Sequence, residues 1–508
     1  MNQAMDLMDR TALLDFPSEG ELILSSHYTI RVTAPGAKAV EVSIDAGPWT
    51  ACSGDSRQWS YDWTGYAAGN HVICTRVTRH DGSRDVLRPR VLRVAFASHG
   101  ADKAKDKGVG DIEMALESLK EREVEWVQLW FTGLGAKPWR VSLPVEHLNE
   151  TSFTAGVTLD GPSTSLAFPS YINLVPDPAA IFMDPMATIP TAAIMCDLIE
   201  PHGVAPSAIG VRRMLRNACR DLEQIQTGLH ATMGAEGEYF LLEADGKPSP
   251  EEDVWTFNCD LARTLKQAGI KAEGFRYGPA KGQGRVQMRW ADPVKTADHL
   301  VLYRWFARCL ARRRGKMVSF EQQSPSGEGA ASMPVHHTLW LGKENAFHDP
   351  KGWQYTSDMC RHYMGGMIRH ARAASAFYGT ANSFPMRAGS RGAVIKPYLS
   401  ATNADALCRI PERMLYPAGR RVKTRAGNAG ANPYLALGAM LLAGMDGLRH
   451  KTAPDMEPKC GMPESLEEAL CSLGQDRDFL KAGGFTDAFV DAWIANRRRA
   501  PEDYVASA

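Results

Sequence analysis

The sequence carries no net charge and no long apolar segment. Lysine plus arginine and aspartate plus glutamate each total 58 among 508 residues, so the whole-chain charge predicts neither nucleic-acid binding nor attraction to an acidic membrane. No apolar run reaches the roughly 18 residues of a transmembrane helix. Residues 1–6 have neither the basic nor the apolar region of a signal peptide. These absences predict a cytoplasmic protein with no nucleic-acid partner and no membrane partner.

Clustered cysteines and repeated segments are also missing. The ten cysteines show no C-x-x-C pair and no zinc-type spacing with histidine, which is typical of reduced thiols in a cytoplasm. There is no internal repeat and no low-complexity tract. The composition, with 44% hydrophobic and 23% charged residues, is ordinary for a globular protein with a sizeable core. The length predicts roughly two to four domains.

Residues 1–100 have the pattern of an all-β domain. Short alternating runs, such as residues 28–32 and 40–44, are separated by turn signals at residues 34–36 and 45–48. Because several short strands follow one another in this way, we predict an immunoglobulin-like β-sandwich.

Tryptophans and cysteines of this domain bear on its core. Trp49, Trp59 and Trp63 supply large apolar side chains for a small core. A disulfide between Cys52 and Cys74 is one interpretation of their positions. Free thiols are favoured, since they suit a cytoplasmic protein.

A stretch of small and charged residues at 101–111 follows the sandwich. It shows no apolar periodicity, so we predict a linker. The pattern then changes to mixed α and β, with strands at residues 127–132 and 138–144. Residues 211–225 predict a helix, because their apolar residues recur at helical spacing. Further helices are predicted at residues 252–268, 293–314, 358–378, 432–449 and 465–471.

Two motifs far apart in the chain point to one family. Residues 234–240 read G-A-E-G-E-Y-F, and residues 431–437 read A-N-P-Y-L-A-L. The first resembles the E-x-E-(Y/F)-F strand of the glutamine synthetase family, and the second resembles the A-N-P-Y-L-A helix start of the same family. Further segments resemble the family in the same order: 156–168 its F-D-G-S-S segment, 282–283 its G-Q-x-E segment, 333–340 its G-M-H-x-H-x-S-L segment and 382–383 its N-S-Y-K-R segment.

The resemblance runs from about residue 112 to the end and implies a fold. We expect an α+β, glutamine synthetase-like protein with a small β-grasp domain at 112–206 and a large α/β catalytic domain with an antiparallel sheet at 207–508. The all-β immunoglobulin-like sandwich precedes both. Family members form rings in which the small domain completes a neighbouring subunit's pocket. The resemblance therefore implies a homo-oligomeric ring, a hexamer or a dodecamer, with Asp160 and Ser163 entering the adjacent pocket.

The resemblance also assigns metal ligands, and most of those positions have changed. Family members bind two or three divalent cations between the phosphates of ATP and glutamate. Glu236 and Glu238 match the E-x-E pair, and their spacing places both carboxylates on one face of a strand. The alternative interpretation is that they are two ordinary glutamates that face solvent on a strand. Four other ligand positions hold residues that do not suit a hard cation: Gly278, Arg285, Pro334 and Lys423.

We interpret Arg285 and Lys423 as counter-ions that replace the metals beside the glutamate pair. No metal ligand and no cofactor is therefore predicted. Magnesium and ATP would be cofactors only under the alternative interpretation, in which the chain is a ligase with a metal site rebuilt from other residues. A transition-metal site at His336 and His337 is disfavoured, because adjacent residues on a strand point to opposite faces.

The substrate side matches the family in part. The family's carboxylate-binding arginine falls at Met386, and its asparagine–glycine pair falls at 329–330. Its flap glutamate falls near Gly392, and one of its phosphate-facing arginines falls at Ala404. Retained positions are Asp160, Ser163, His336, Arg409, Arg421 and Arg425. The resemblance assigns catalytic roles to Glu236, Glu238, Asp160 and Arg425. It assigns cofactor-binding roles to His336, Arg409 and Arg421.

Three functions of different classes follow from this mixture. In the first, the chain acts on a small amino acid, amide or amine without the usual two-metal Mg-ATP ligase site. In the second, it is a non-catalytic pseudoenzyme or a regulatory partner of an active homologue. In the third, it is a γ-glutamyl-amine ligase of the glutamine synthetase type, ATP-dependent, with a rebuilt metal site. The favoured partner is a small-molecule amino acid or amine.

Overall fold

The computed structural model describes most of the chain in two compact units. The described residues are 12–17, 22–23, 27–55, 57–64, 69–94, 105–160, 171–199, 210–322, 324, 329–379, 383–384, 387–388, 393–411 and 417–499. Among the described residues, one unit comprises those up to Gly110 and the other comprises those from Asp111 onward. Each unit has a hydrophobic core of its own.

The first unit is all-β in its described residues. Its strands are β1 (Leu13–Phe16), β2 (Leu22–Ile23), β3 (His27–Thr33), β4 (Ala37–Ile44), β5 (Thr50–Ala51), β6 (Ser53–Gly54), β7 (Gln58–Thr64), β8 (Gly69–Arg79), β9 (Arg84–Val86) and β10 (Arg90–Val94). One sheet has the order β1-β3-β7-β6. The other has the order β2-β10-β8-β4-β5, with β9 paired to β8.

Both sheets contribute to a single apolar core. Ile30 and Val32 of β3 and Val40 and Val42 of β4 are each at most 1% exposed. Their alternation with exposed residues is the period of two that the sequence showed. The predicted β-sandwich is confirmed.

Trp49 does not belong to this core, contrary to the prediction from the sequence. Trp63 is 7% exposed, whereas Trp49 is 36% exposed. The guanidinium of Arg76 lies 4.4 Å from the Trp49 ring centroid, so this aromatic side chain makes a cation–π contact at the surface. Cys52 and Cys74 are both free thiols.

A helix begins within the segment that the sequence predicted as a linker. Helix α1 (Lys105–Glu121) covers residues 105–111 of that segment, a helix that the sequence did not predict. Ile112, Ala115 and Leu119 lie at helical spacing and are buried. The first turns of α1 have few apolar residues and therefore show no stripe by which a helix could be recognised.

A five-stranded sheet follows α1. Its strands are β11 (Trp126–Thr132), β12 (Pro138–Pro144), β13 (Val157–Asp160), β14 (Tyr171–Met183) and β15 (Thr191–Ile199), in the order β12-β11-β15-β14-β13, with the short helix α2 (Glu150–Thr154) before β13. Alternation along β11 places Val127 and Leu129 in the core shared with α1, and Trp130 in the larger core of the unit. Apolar side chains therefore cover both faces of this sheet.

The rest of the second unit is built around a larger sheet. Its elements are α3 (Val211–Ile225), β16 (Leu229–Leu242), α4 (Glu251–Gln267), β17 (Ala272–Tyr277), β18 (Gln283–Met288), α5 (Pro293–Arg313), β19 (Met317–Ser319), β20 (Val335–Leu341), β21 (Glu344–Asn345), α6 (Asp358–Arg369), α7 (Ala371–Tyr378), β22 (Arg387–Ala388), β23 (Ala393–Val394), β24 (Lys396–Ser400), β25 (Ala406–Arg409), β26 (Val422–Thr424), α8 (Pro433–His450), α9 (Leu466–Gln475) and α10 (Asp487–Arg499). The order β17-β18-β16-β20-β26-β25-β24 is antiparallel apart from the parallel pair β24 and β25. The predicted fold class is confirmed.

The A-N-P-Y-L-A motif has a structural explanation at the start of α8. The Asn432 side chain accepts hydrogen bonds from the N–H groups of Tyr434 and Leu435 at 3.1 and 3.4 Å, and Pro433 occupies the first turn. The same amide donates to the backbone carbonyl of Gly133 at 2.9 Å. The motif therefore caps a buried helix and ties it to the loop between β11 and β12.

Candidate functional site

Four adjacent strands bring the charged residues of the site together. The order β18-β16-β20-β26 places β16, which carries Glu236 and Glu238, between β18 and β20. Glu238 pairs with Arg285 of β18, and His336 of β20 pairs with Lys423 of β26. Because directly paired residues of antiparallel strands share a sheet face, residues distant in sequence meet at one place.

The Glu236 carboxylate is surrounded by cations and one hydrogen-bond donor. Its Oε2 lies 3.0 Å from Arg285 Nη1 and 3.6 Å from Arg276 Nη2, and its Oε1 is ion-paired with Lys423 Nζ. His336 Nε2 donates to Oε1 at 2.8 Å. Burial alone would raise the pKa of Glu236, but the hydrogen bond from His336 and the charge of Lys423 outweigh it and lower the pKa. The carboxylate is therefore ionised at neutral pH.

Glu238 is completely buried and has donors of its own. Arg285 Nη2 forms an ion pair with Oε1. The backbone N–H and the hydroxyl of Ser332 donate to Oε2 at 2.8 and 3.0 Å, and Gln283 Nε2 donates to the same oxygen at 3.3 Å. Burial raises the pKa of Glu238, and Arg285 and Ser332 oppose that shift. The predicted ion pairs between the two glutamates and Arg285 or Lys423 are thus present.

The two adjacent histidines of β20 lie on opposite faces, as predicted. His336 contacts Glu236, and its ring centroid lies 5.5 Å from that of Trp290. His337 Nδ1 lies 3.2 Å from the hydroxyl oxygen of Tyr363. Burial lowers the pKa of His336 to about 4 and that of His337 to about 3, so both rings are neutral at neutral pH. His336 therefore carries its proton on Nε2 when it donates to Glu236.

A cavity of about 470 Å³ opens beside Glu236. Among the described residues, the charged side chains of its lining are one carboxylate and five cations: Glu236, Arg276, Arg285, Arg409, Arg421 and Lys423. His336 and Gln287 add polar groups, and Phe275 and Pro411 add apolar surface. The volume falls within the roughly 300–1,000 Å³ that small-molecule sites occupy.

The three arginines predicted to act in the site are held in different ways. Arg409 lines the cavity, and its Nη2 donates to two backbone carbonyls at 3.2 and 3.3 Å. Arg421 also lines the cavity and lies over the Trp290 ring, 5.3 Å from its centroid. Arg425 instead donates from Nη1 to the backbone carbonyl of Ala404 at 2.6 Å.

Gly278 and Pro334, two positions to which the family resemblance assigns metal ligands, offer no side-chain donor. A Cβ atom at Gly278 would overlap the side chain of Gln283, so a longer side chain has no space there in this conformation. Pro334 has no donor atom in its side chain, and its backbone carbonyl accepts a hydrogen bond from the N–H of Glu236 at 3.0 Å.

Other predicted positions are not described in the structure. Asp160 is the last residue of β13, but its side chain lies outside the described residues. Ser163, Met386 and Gly392 lie outside them entirely. Their roles remain expectations from the family resemblance.

Arg276 and Ser332 are contact residues that the sequence did not reveal. Arg276 lies on the edge strand β17, where the register places it opposite Arg285. Only the pairing register of β17 with β18 brings Arg276 to the site, and a pairing register cannot be determined from a single sequence. Ser332 contacts Glu238 partly through its backbone N–H, which leaves no signature in side-chain chemistry.

The described residues contain neither a candidate metal-binding cluster nor a membrane-spanning helix. No group of three or more histidine, cysteine, aspartate or glutamate side chains that could hold a metal ion occurs in the described part of the chain, which leaves out residues 161–170 and 325–328. No helix of the same part is long and apolar enough to cross a membrane.

Comparison with known proteins places the chain in a family. Residues 123–201 match the model of the glutamine synthetase β-grasp domain, and residues 247–507 match that of the glutamine synthetase catalytic domain. The chain is 30% identical over 444 residues to the glutamine synthetase of Bradyrhizobium diazoefficiens, which covers 75% of this chain and 93% of that protein. The glutamine synthetase of Escherichia coli K12 is 30% identical over 453 residues, covering 76% of this chain and 95% of that protein. The chain belongs to the glutamine synthetase family.

The β-sandwich at the start of the chain lies outside both matched ranges, the first of which begins at residue 123. A glutamine synthetase of Frankia alni shows the same coverage, with 29% identity over 448 residues, 76% of this chain and 94% of that protein. The similarity therefore concerns the second unit.

Proposed function

We propose that this member of the glutamine synthetase family acts on a small amino acid, amide or amine at a site that works without a two-metal Mg-ATP centre. The observation that carries the proposal is the pairing of Glu236 and Glu238 with Arg285 and Lys423. Both glutamates have their charge neutralised by protein cations, so neither is left to neutralise a metal.

The residues present do not fit the pair of divalent cations that the family implies. Magnesium needs several oxygen ligands in a near-octahedral arrangement. The ammonium of Lys423 and the guanidinium of Arg285 lie against carboxylate oxygens of Glu236 and Glu238, which would have to serve as the magnesium ligands. Two like unit charges about 4 Å apart repel by about 4 kcal/mol at an effective dielectric constant near 20, and each metal would add a double charge.

The cavity supports a small-molecule ligand. Its volume of about 470 Å³ suits a metabolite-sized molecule, and its lining offers both polar and apolar groups. Glu236, Glu238, Asp160 and Arg425 are the proposed catalytic residues. His336, Arg409 and Arg421 are the proposed ligand-binding residues.

A second candidate is an ATP-dependent ligase of the glutamine synthetase type with a rebuilt metal site. The names of the relatives favour it, since each is a glutamine synthetase. The third candidate is a non-catalytic partner of an active homologue, and experiment must distinguish it from the two enzymes.

The proposed domain limits are 1–100 for the sandwich, 101–111 for the linker, 112–206 for the β-grasp domain and 207–508 for the catalytic domain. We also propose a cytoplasmic location and a closed ring, a hexamer or a dodecamer. In such a ring, the segment around Asp160 enters the neighbouring pocket, so the complete site needs two subunits.

The test is thermal unfolding of the purified chain with ATP, with magnesium, and with both together. We expect no rise in melting temperature from the combination, although a ligand at one hundred times its dissociation constant would add about 2.7 kcal/mol of stability. A magnesium-dependent rise accompanied by ATP hydrolysis would reject the proposal in favour of the ligase. Turnover of an amide or amine without nucleotide would separate an enzyme from a binding protein.

A further inference from the structure

Three aromatic side chains adjoin one another at the surface formed by α4 and β17. The ring centroid of Trp255 lies 5.1 Å from that of Phe275 and 5.7 Å from that of Tyr277. Trp255 is 46% exposed and Tyr277 is 38% exposed. A single exposed apolar residue is ordinary, whereas adjoining exposed rings make a contiguous patch of the kind that marks a binding surface. Trp255, Phe275 and Tyr277 together form an aromatic platform.

The aromatic platform is a different surface from the cavity beside Glu236. Arg276 lines that cavity, whereas Trp255 and Tyr277 do not. Because side chains alternate along a strand, Tyr277 points to the sheet face opposite to that of Arg276. Phe275 also lines the cavity, so β17 carries residues of both surfaces. A ligand of the platform can therefore contact Trp255 and Tyr277 without entering the cavity.

Two carboxylates lie beside the rings. Glu251 and Glu252 precede Trp255 by four and three positions on α4, so helical geometry places all three side chains on one side of the helix. Burial raises the pKa of the Tyr277 phenol, and the negative charges of Glu251 and Glu252 raise it further. The helix dipole accounts for acidic residues in the first turn of α4, but it does not account for aromatic rings left open to solvent beside them.

We infer that the aromatic platform binds the quaternary ammonium group of a small molecule, with its methyl groups against Trp255 and Tyr277 and its charge balanced by Glu251 and Glu252. The faces of aromatic rings attract cations, and quaternary ammonium groups are the ligands that clustered rings most often recognise. The adjacent carboxylates supply the counter-charge. An anion is disfavoured at the same place, because both glutamates would repel it.

The size of the platform indicates a small molecule and not a peptide. Its carboxylates and its largest ring come from residues 251–255, about one turn of α4. Its other two rings come from two alternate residues of β17. This area matches a single head group that carries methyl groups. The inference goes beyond the proposed function, and it holds whether or not the cavity beside Glu236 uses a metal.

The experiment is ligand-detected NMR on the full-length chain with three probes: choline, its neutral isostere 3,3-dimethylbutan-1-ol, and ethanolamine. Choline and the isostere have the same shape and the same methyl groups, whose line broadening measures binding, and they differ in charge. Ethanolamine has the charge without the methyl groups. We expect choline to bind with a dissociation constant of about 1 mM, about tenfold more tightly than either of the other probes. Its affinity should fall as salt rises, because the glutamates are exposed to screening.

Trp255→Ala is the diagnostic variant, and Trp353→Ala is its matched control. Trp353 is 39% exposed, close to the exposure of Trp255, and Tyr355 beside it in sequence is 46% exposed. The guanidinium of Arg420 lies 5.7 Å from the Tyr355 ring centroid, so a protein cation already lies near those rings. Both tryptophans are largely at the surface, so both variants should melt close to the wild type. We expect Trp255→Ala to weaken choline binding about tenfold and Trp353→Ala to leave it unchanged.

A second variant, Glu251→Gln/Glu252→Gln, removes the charges of the site and keeps its rings. Both glutamates are exposed, so the replacement leaves the packing of α4 intact. We expect it to weaken choline binding by a factor of about three to ten, because the counter-charge is lost. Binding of the neutral isostere should not change.

Four results would overturn the inference. Equal binding of choline and its neutral isostere would show that the platform recognises apolar shape alone. Equal binding of choline and ethanolamine would show that methyl groups are not recognised. Choline binding that is absent, that survives Trp255→Ala, or that falls equally in Trp353→Ala would exclude the platform as its site. A peptide containing trimethyllysine that binds more tightly than choline would show that the partner is a protein and not a small molecule.

Discussion

At the scale of single residues, two substitutions of charge define this site. Arg285 and Lys423 stand at positions where the family resemblance places glutamates, and both contact the retained pair of glutamates. The two cations neutralise the charge of Glu236 and Glu238. This neutralisation stabilises the fold, because a buried carboxylate without a charged partner is costly. The sequence alone was sufficient to predict these ion pairs, because the two cations could be aligned with former ligand positions.

Restoring the two glutamates should restore affinity for a metal. In an Arg285→Glu/Lys423→Glu variant, four carboxylates meet after the loss of their two closest cations, with the largely exposed Arg276 left as a partner of Glu236 at 3.6 Å. We expect a loss of about 3 kcal/mol or more in the free energy of unfolding. Manganese or magnesium should recover much of this loss, because oxygen ligands then outnumber the cations. Urea unfolding with and without metal measures both effects.

The control for that variant is Arg263→Glu/Lys271→Glu, which reverses two exposed charges outside the cavity. It should lose little stability and show no response to metal. If the wild type gained as much stability from manganese as the restored variant, the assignment of Arg285 and Lys423 as counter-ions would be wrong.

At the scale of elements, the sequence predicted most of those whose apolar pattern was complete. Helix α3 has the predicted bounds 211–225, because one continuous face is buried in the core. The predicted helix at 358–378 is instead divided into α6 and α7 at His370. The start of α1 went unrecognised because its first turns have few apolar residues. Helix α10 also went unrecognised, although Phe489, Val490, Trp493 and Ile494 lie at helical spacing and are buried.

His370 explains the break between α6 and α7. Its ring is 5% exposed and stacks on Phe479 at a centroid distance of 4.3 Å. Nδ1 and Nε2 lie 2.8 Å from the carboxylates of Asp476 and Asp446. A doubly paired imidazole fixes the helix junction to α8 and to the end of α9. No such tertiary pairing can be read from helical periodicity.

This junction should make stability depend on pH. Burial alone would lower the pKa of His370, but hydrogen bonds to Asp476 and Asp446 raise it above 6.5. The protonated ring therefore contributes fully below about pH 6.5, and the contribution declines as the pH rises through the folded pKa. His370→Gln should cost about 1–3 kcal/mol at slightly acidic pH and less at alkaline pH.

Urea unfolding across that pH range tests the junction, with His450→Gln as control. His450 also contacts Asp446, at 3.1 Å, but its side chain is 61% exposed. Its replacement should change stability little at any pH. The same pH slope in wild type and His370→Gln would show that another group causes the dependence.

At the scale of the whole molecule, the family fold is retained, and the proposed loss of metal ligands concerns a few side chains on its strands. The larger sheet has the order that places β16 between β18 and β20, and Asn432 ties α8 to the loop between β11 and β12 of the five-stranded sheet. Packing of this kind depends on apolar faces and caps, not on metals. The ring geometry of the family is therefore expected to survive the changes in charge.

A closed ring is the prediction at this scale. Light scattering should give about six or twelve times the 55.7 kDa of one chain. If Asp160 of one subunit completes the pocket of the next, Asp160→Ala and Arg276→Gln should each weaken ligand binding in separate rings. Co-expression of the two variants should then restore binding in about a quarter of the pockets, those formed by two unaltered halves. Recovery would fail if each pocket belonged to a single chain, and a monomer or dimer at micromolar concentration would exclude the ring itself.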